Sequence, residues 1–346
     1  MTPQKRDFRK LESVMGTFAG LAGSTESTAG ATANARNAPL AAAILDGVEA
    51  ERLPILAHSI ARAERFLEAI AAGRARHGAA LLAVLNVTPD SFSDGGLYLE
   101  RDRAIARGRE LAARGATLLD VGAESTRPGA PPVAHDEQLR RALPVVEALA
   151  GEIPITIDTS NPEVARACLS AGAVAVNDVS CAHDERLGLV AAEFGAGYIL
   201  SHARPGQSGM VAFGAWPEDA YADVVAEVRA ELGIARERLV SAGVSKGAVV
   251  LDPGLGFTKS SLHSARLLAH VARLSEDGPV LIGSSRKSFL TLATGPVVPA
   301  ERLAASLAAA LYAARRGASV LRVHDVSETA QALAVERLLA REGADA

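Results

Sequence analysis

Residues 81–86 read LLAVLN, an aliphatic run that stops on an asparagine. The same shape returns seven times, at Thr117–Val121, Pro154–Asp158, Ala173–Asn177, Gly197–His202, Ala248–Asp252, Pro279–Gly283 and Ala318–His324. Short runs that are apolar almost throughout fit strands covered on both faces. Between them lie stretches rich in Ala, Leu, Arg and Glu with helical character. Strand and helix in alternation make βα units and a parallel sheet. Eight such units predict an α/β fold, a closed (β/α)₈ TIM barrel. Such barrels build their sites at the carboxyl ends of the strands. Here those ends carry Asn86, Glu124, Asp158, Asn177, His202, Asp252, Lys287, Arg322 and His324, more polar groups than an inert rim needs.

The punctuation between the runs agrees. Arg114-Gly115-Ala116, Ala171-Gly172-Ala173, Phe194-Gly195-Ala196, Lys246-Gly247-Ala248 and Arg316-Gly317-Ala318 each precede a strand, as expected where a glycine ends a helix and returns the chain to the sheet. Asn161-Pro162 and Trp216-Pro217-Glu218-Asp219 read as helix starts. Glu301–Arg315 and Ser327–Leu339 read as the last two outer helices, and the Gly-containing stretch 204–215 as a rim loop. We place the barrel at residues 79–346 and a helical extension at 38–78, with stripes Leu40, Ile44, Val48 and Ile60, Leu67, Ile70 split by Pro54. Residues 1–37, rich in Gly, Ser, Thr and Ala beyond residue 20, read as a disordered tail.

Composition removes several classes of function. A net charge of −4 over 346 residues lacks the basic excess of a general nucleic-acid binder. No apolar stretch approaches the roughly 20 residues of a membrane span. Cys168 and Cys181 show no metal-ligand spacing and fit a reducing, cytoplasmic setting. Walker, HExxH and GxSxG motifs are absent from the sequence.

Four constellations carry chemistry. Residues 86–96, NVTPDSFSDGG, follow the first run and offer Asn86, whose amide oxygen suits Mg²⁺, and the carboxylate of Asp90. Residues 124–129, ESTRPG, bring Arg127, a donor fork suited to phosphate. Asp158, Asn177 and Asp252 end the third, fourth and sixth runs and match a ring with alternating N–H and C=O groups, although capping of the next helix would also account for Asp158. Residues 283–289, GSSRKSF, and 322–324, RVH, stand where barrels hold phosphate; Arg322 and His324 share a face and would clamp an anion with Arg127.

Taken in order, NVTPDSFSDGG, ESTRPG, Ile157-Asp158-Thr159, Asn177-Asp178-Val179, DPGLGF at 252–257, SRKSF at 285–289 and RVHDV at 322–326 resemble the dihydropteroate synthase family, over roughly residues 80–342. The resemblance implies an enzyme that joins 6-hydroxymethyl-7,8-dihydropterin pyrophosphate to 4-aminobenzoate. It implies that Asp158, Asn177, Asp252 and Lys287 hold the pterin and that Asn86 ligates Mg²⁺. Arg322 and His324 would bind pyrophosphate oxygens, and Asp90 and Arg286 would add to substrate binding. Thr126, Arg127, Pro128, Phe257 and Ser288 would surround the aminobenzoate. A homodimer through outer helices is also implied, with small molecules as partners and neither nucleic acid nor membrane. The chain departs from the pattern at Ser201-His202-Ala203, where a Met-His-Met grouping is common, and at Thr258, where Gly is usual, with Lys259 kept. Two other readings stand beside this one. A methyltetrahydrofolate-binding methyltransferase would hold the pterin similarly but would not need ESTRPG, SRKSF and RVHDV for a pyrophosphate. A catalytically impaired paralogue would serve as a pterin-binding or scaffold protein.

Overall fold

The computed structural model describes residues 53–87, 97–124, 133–206 and 215–343. The tail at 1–37, residues 38–52 of the helical extension with their Leu40–Val48 stripe, and most of the rim loop at 204–215 lie outside the described residues. Eight parallel strands form the centre: β1 (Ala80–Asn86), β2 (Leu118–Gly122), β3 (Ile155–Asp158), β4 (Ala175–Asp178), β5 (Gly197–Ser201), β6 (Val249–Asp252), β7 (Leu281–Ile282) and β8 (Val320–Val323). They pair in the order β6-β5-β4-β3-β2-β1-β8-β7. A parallel bridge between Leu251 and Val280 closes the ring, with Leu251 N donating to Pro279 O at 2.8 Å. Each of the eight apolar runs therefore contains a strand.

Around the barrel run α1 (Leu53–His77), α2 (Leu97–Ala113), α3 (His135–Leu149), α4 (Pro162–Ser170), α5 (Glu185–Glu193), α6 (Val224–Ser241), α7 (Ser261–Ala269), α8 (Val271–Leu274), α9 (Thr291–Thr294), α10 (Leu303–Arg315) and α11 (Val326–Glu342). Asn161 caps α4, accepting from the backbone N–H groups of Glu163 and Val164. That leaves Asp158 for other work. The start expected at Trp216–Asp219 instead makes a 3₁₀ turn at Glu218–Ala220, and α6 begins later, capped by Asp223. Gly247 sits in the 3₁₀ turn Lys246–Ala248; Gly243, at φ 103°, follows the end of α6 instead.

Strand alternation divides the interior. Outward residues such as Leu81, Ala83, Leu85, Leu119, Val121, Ile155 and Ile157 join the helices in the larger core. Inward residues low in the barrel, among them Leu82, Leu118, Ile199, Val250, Leu281 and Val320, form a separate apolar floor with Phe66, Ala69 and Ile70 of α1. Pro54 lies in the first turn of α1, where its missing N–H leaves no helical bond unmade, and the helix runs from Leu53 to His77. Phe66 is wedged so close under β5 that a Cβ on Gly197 would stand 2.2 Å from its ring. The floor closes one end, so the polar inward residues higher up gather at the other.

Phe66→Ala should therefore cost roughly 3–5 kcal/mol, the usual range for emptying a buried aromatic site. Urea unfolding measures it, and a loss below about 1 kcal/mol would mean that α1 does not close the floor.

Candidate active site

The upper interior holds a connected set of charges. Arg322, on β8, reaches across the bore: Nε donates to Asp120 Oδ2 at 2.6 Å and Nη2 to Asp158 Oδ2 at 2.8 Å. Asp120, wholly buried on β2, also accepts from Asn177 Nδ2 at 2.9 Å and from the Thr156 hydroxyl. One carboxylate thus orients groups from β3, β4 and β8. Burial works against the Arg322 cation, but Asp120 and Asp158 more than offset it and raise its pKa. Burial pushes the Asp158 carboxyl up to about 7; the like charge of Asp120 adds to this and Arg322 opposes it. Asp158 Oδ1 is buried and has no partner among the described residues. An orphaned buried acceptor costs about 1–3 kcal/mol, so its retention points to a donor brought by a ligand.

Asp158, Asn177, Asp252, Phe257, Lys287 and Arg322 line one open cleft with an empty volume of about 340 Å³ counted to its mouth. Asp252 ends β6; its Oδ1 accepts from Gly254 N at 2.7 Å and its Oδ2 from the Ser201 hydroxyl at 3.1 Å. Burial nevertheless raises its pKa. Gly254 has φ 66°, and a Cβ there would lie 2.0 Å from His202 O, so glycine alone lets the loop after β6 fold back over the end of β5. Lys287 Nζ donates to Leu255 O at 2.7 Å and stands 4.3 Å from the centre of the Phe257 ring. Burial lowers its pKa to about 8, against the pull of Asp252. The cleft offers carboxylate acceptors, an amide, a cationic donor and an aromatic wall, the groups that recognise a flat heteroaromatic ring.

Known proteins resemble this chain in sequence and fold. Residues 82–324 match the family described as pterin binding enzyme. The dihydropteroate synthase of Mycobacterium leprae is 44% identical over 263 residues, which cover 74% of this chain and 91% of that protein. The chain belongs to the dihydropteroate synthase family. A solved structure of the Xanthomonas albilineans dihydropteroate synthase with 4-aminobenzoic acid has a TM-score of 0.69 and 42% identity, covering 75% of this chain and 93% of that one. The Burkholderia cenocepacia dihydropteroate synthase complexed with 7,8-dihydropteroate has a TM-score of 0.69 and 38% identity, covering 78% and 94%.

Of the residues that the dihydropteroate synthase pattern singles out, Asp158, Asn177, Asp252, Phe257, Lys287 and Arg322 meet at the cleft. Asn86 ends β1, and a Cβ on Gly122 of the neighbouring β2 would lie 3.6 Å from its Oδ1 and 3.5 Å from the Asp158 Cβ. Asp90, Thr126, Arg127 and Pro128 lie outside the described residues. Arg286 turns away: at φ 61° its Nε donates to Asp325 Oδ2 at 3.1 Å, bracing the loop after β7 against the start of α11. Ser288 opens a 3₁₀ turn, and its carbonyl accepts from the Thr291 hydroxyl. His324 Nδ1 bonds Ser285 Oγ at 3.0 Å, and burial, then Arg322, lower its pKa to about 4. It is a neutral imidazole near pH 7, and Arg322 is already matched by two carboxylates. Of the pair expected to clamp an anion, Arg322 is therefore the member that carries the charge near pH 7. His202 faces outward, behind the rim, bonded to Glu231 and Lys259. Asp120 escaped the sequence analysis. Its signal was an acid inside the run TLLDV, because a carboxylate in a strand buried on both faces needs an internal partner.

Removing that partner should be expensive. Asp120→Ala is expected to lower stability by roughly 3–5 kcal/mol, because it strips a mostly buried guanidinium of one counterion and leaves the buried Thr156 and Asn177 donors unpaired. Asp120→Asn, which keeps an acceptor, should cost about 1–3 kcal/mol. Equal and small losses in urea unfolding would show that Asp120 does not hold Arg322.

Proposed function

We propose that this chain acts as a dihydropteroate synthase, joining 6-hydroxymethyl-7,8-dihydropterin pyrophosphate to 4-aminobenzoate to give 7,8-dihydropteroate and pyrophosphate. The observation that carries the reading is the orphaned Oδ1 of Asp158, a residue that lines one cleft with Asn177, Asp252 and Lys287. A pterin brings ring N–H donors for the carboxylates and a carbonyl for Lys287. Family membership supports the same substrates.

The reaction breaks the bond between the exocyclic methylene carbon and the pyrophosphate oxygen, and the electron pair leaves with pyrophosphate. The carbon then bonds the amine nitrogen, which releases one proton to water. As the bond to oxygen lengthens, positive charge spreads into the dihydropterin ring, where ionised Asp158 and Asp252 stabilise it. This favours an SN1-like displacement. An aromatic amine attacks as the neutral species, so no strong general base is required. Phe257 walls the cleft beside Lys287 and would pack against the flat aminobenzoate.

Asp158 and Asp252 already balance Lys287 and Arg322 at the cleft, and the buried Asp120 behind Arg322 adds a further negative charge. A polyanionic leaving group therefore needs further positive charge, and Arg127 would supply part of it. Among the described residues no group of three His, Cys, Asp or Glu side chains could cage a metal. Mg²⁺ does not need one: it keeps several waters and binds substrate phosphates, so the single amide oxygen of Asn86 fits it. When bound, Mg²⁺ would neutralise charge on the departing pyrophosphate. Two copies would pair through outer helices, a reading supported by Val335, Leu338 and Leu339, which are 57%, 55% and 62% exposed and share one face of α11.

Pyrophosphate release with the pterin pyrophosphate, Mg²⁺ and 4-aminobenzoate tests the reading against a control without aminobenzoate. Aminobenzoate-dependent release is expected, and pterin binding without release would favour the scaffold reading. Lys287→Ala should lower kcat/KM by roughly 10²–10³ while the barrel still folds. The pH profile has a definite sign. Below about 7 Asp158 gains a proton and loses the charge that faces the cationic ring, and above about 8 Lys287 loses its proton. Turnover should therefore peak between these values, and Asp158→Asn should remove the part of the acid limb near pH 7, leaving the part set by Asp252. A flat profile in the parent protein would contradict these assignments.

A further inference from the structure

Behind the cleft lies a buried polar relay that the proposed chemistry does not use. Lys259 and His202 are both 0% exposed. The three N–H donors of Lys259 meet three acceptors: His202 Nδ1 at 2.8 Å, His202 O at 3.2 Å and Phe257 O at 3.0 Å. With Nδ1 accepting, His202 is the tautomer whose Nε2–H donates, here to Glu231 Oε2 at 2.9 Å. Glu231 belongs to the outer helix α6, where its side chain is 35% exposed. Its Oε1 also accepts from Arg204 Nε at 3.1 Å, at the start of the loop after β5. Arg204 lies 3.9 Å over the Tyr221 ring, and Tyr221 OH donates to Thr258 O at 3.0 Å.

The backbone between Phe257 and Lys259 needs this bracing. Thr258 is wholly buried at φ 46°, a region costly for a β-branched side chain. Its Oγ1 accepts from Arg204 N at 2.9 Å and donates to Phe257 O at 2.8 Å. The chain turns sharply here, and the turn aims the Phe257 ring at Lys287.

We infer that Lys259, held by His202 and Glu231, is a positioning residue that fixes the Phe257 wall and so sets affinity at the aminobenzoate end of the cleft. The inference rests on the proposed function. An apolar side chain of similar length would fill the same space without drawing the Phe257 carbonyl to the end of β5. Burial lowers the Lys259 pKa to about 7 against the pull of Asp252, so the ammonium with its three donors is the form present below about that pH.

The test compares the full-length parent with Lys259→Met and Glu231→Gln. Thermal unfolding, the KM for 4-aminobenzoate, kcat and the calorimetric Kd of 7,8-dihydropteroate are measured for each. Lys259→Met should raise the KM and the Kd about tenfold or more, with kcat per folded molecule within about threefold. Glu231→Gln, which keeps an acceptor on a partly exposed helix, should move both the same way by about threefold. A merely structural role would lower the melting temperature and the active fraction only. Folded variants with KM and Kd within about twofold of the parent would overturn the inference. If Lys259→Met does not fold, Glu231→Gln decides by the same criterion. A parent that binds dihydropteroate but shows no aminobenzoate-dependent turnover would remove the reaction, and the Kd comparison would still decide the relay.

Discussion

The Arg322 guanidinium, stretched between Asp120 and Asp158 inside the barrel, is the contact on which the site depends. A cation in this position is tolerated only because two carboxylates meet it with short, directed bonds. The same contact leaves Asp158 with one oxygen committed and the other without a partner among the described residues. Through Asp120 it also fixes Asn177. Four strands are thereby tied by side chains as well as by their backbone ladders. The apolar floor beneath, closed by Phe66, lets this polar layer sit in a dry interior.

The second organising constraint is the folded-back loop after β6. Gly254 allows the backbone to press on His202 O, and Thr258 accepts a strained φ a few residues later. Between them the loop delivers Leu255 O and the Phe257 ring to Lys287. Ser201 donates to the inner carboxylate, Asp252, while His202, one residue on, points to the outer relay. Adjacent residues at the tip of β5 thus serve opposite sides of the sheet, as the pleat requires.

Much of this was legible in the sequence. Parallel barrel strands are covered on both faces, so each stands out as an apolar run, and the polar residue at its end marks the rim. Asp158, Asn177 and Asp252 were found that way, Lys287 by its place after the seventh strand and Arg322 by its place at the end of the eighth. Three features were harder to read. Asp120 is an inward residue in mid-strand, and attention to strand ends passes over it. Arg286 and Lys287 are adjacent cations, and only a left-handed φ at Arg286 turns it to Asp325. The charge of His324 depends on burial and on Arg322 nearby, neither of which a sequence displays.

The most direct measurement is a crystal structure of the protein with 7,8-dihydropteroate. The account predicts a ring N–H within about 2.7–3.2 Å of Asp158 Oδ1, with Arg322 still spanning Asp120 and Asp158. A pterin bound with Asp158 Oδ1 left to water, or with Arg322 withdrawn from Asp120 to reach it, would contradict the account.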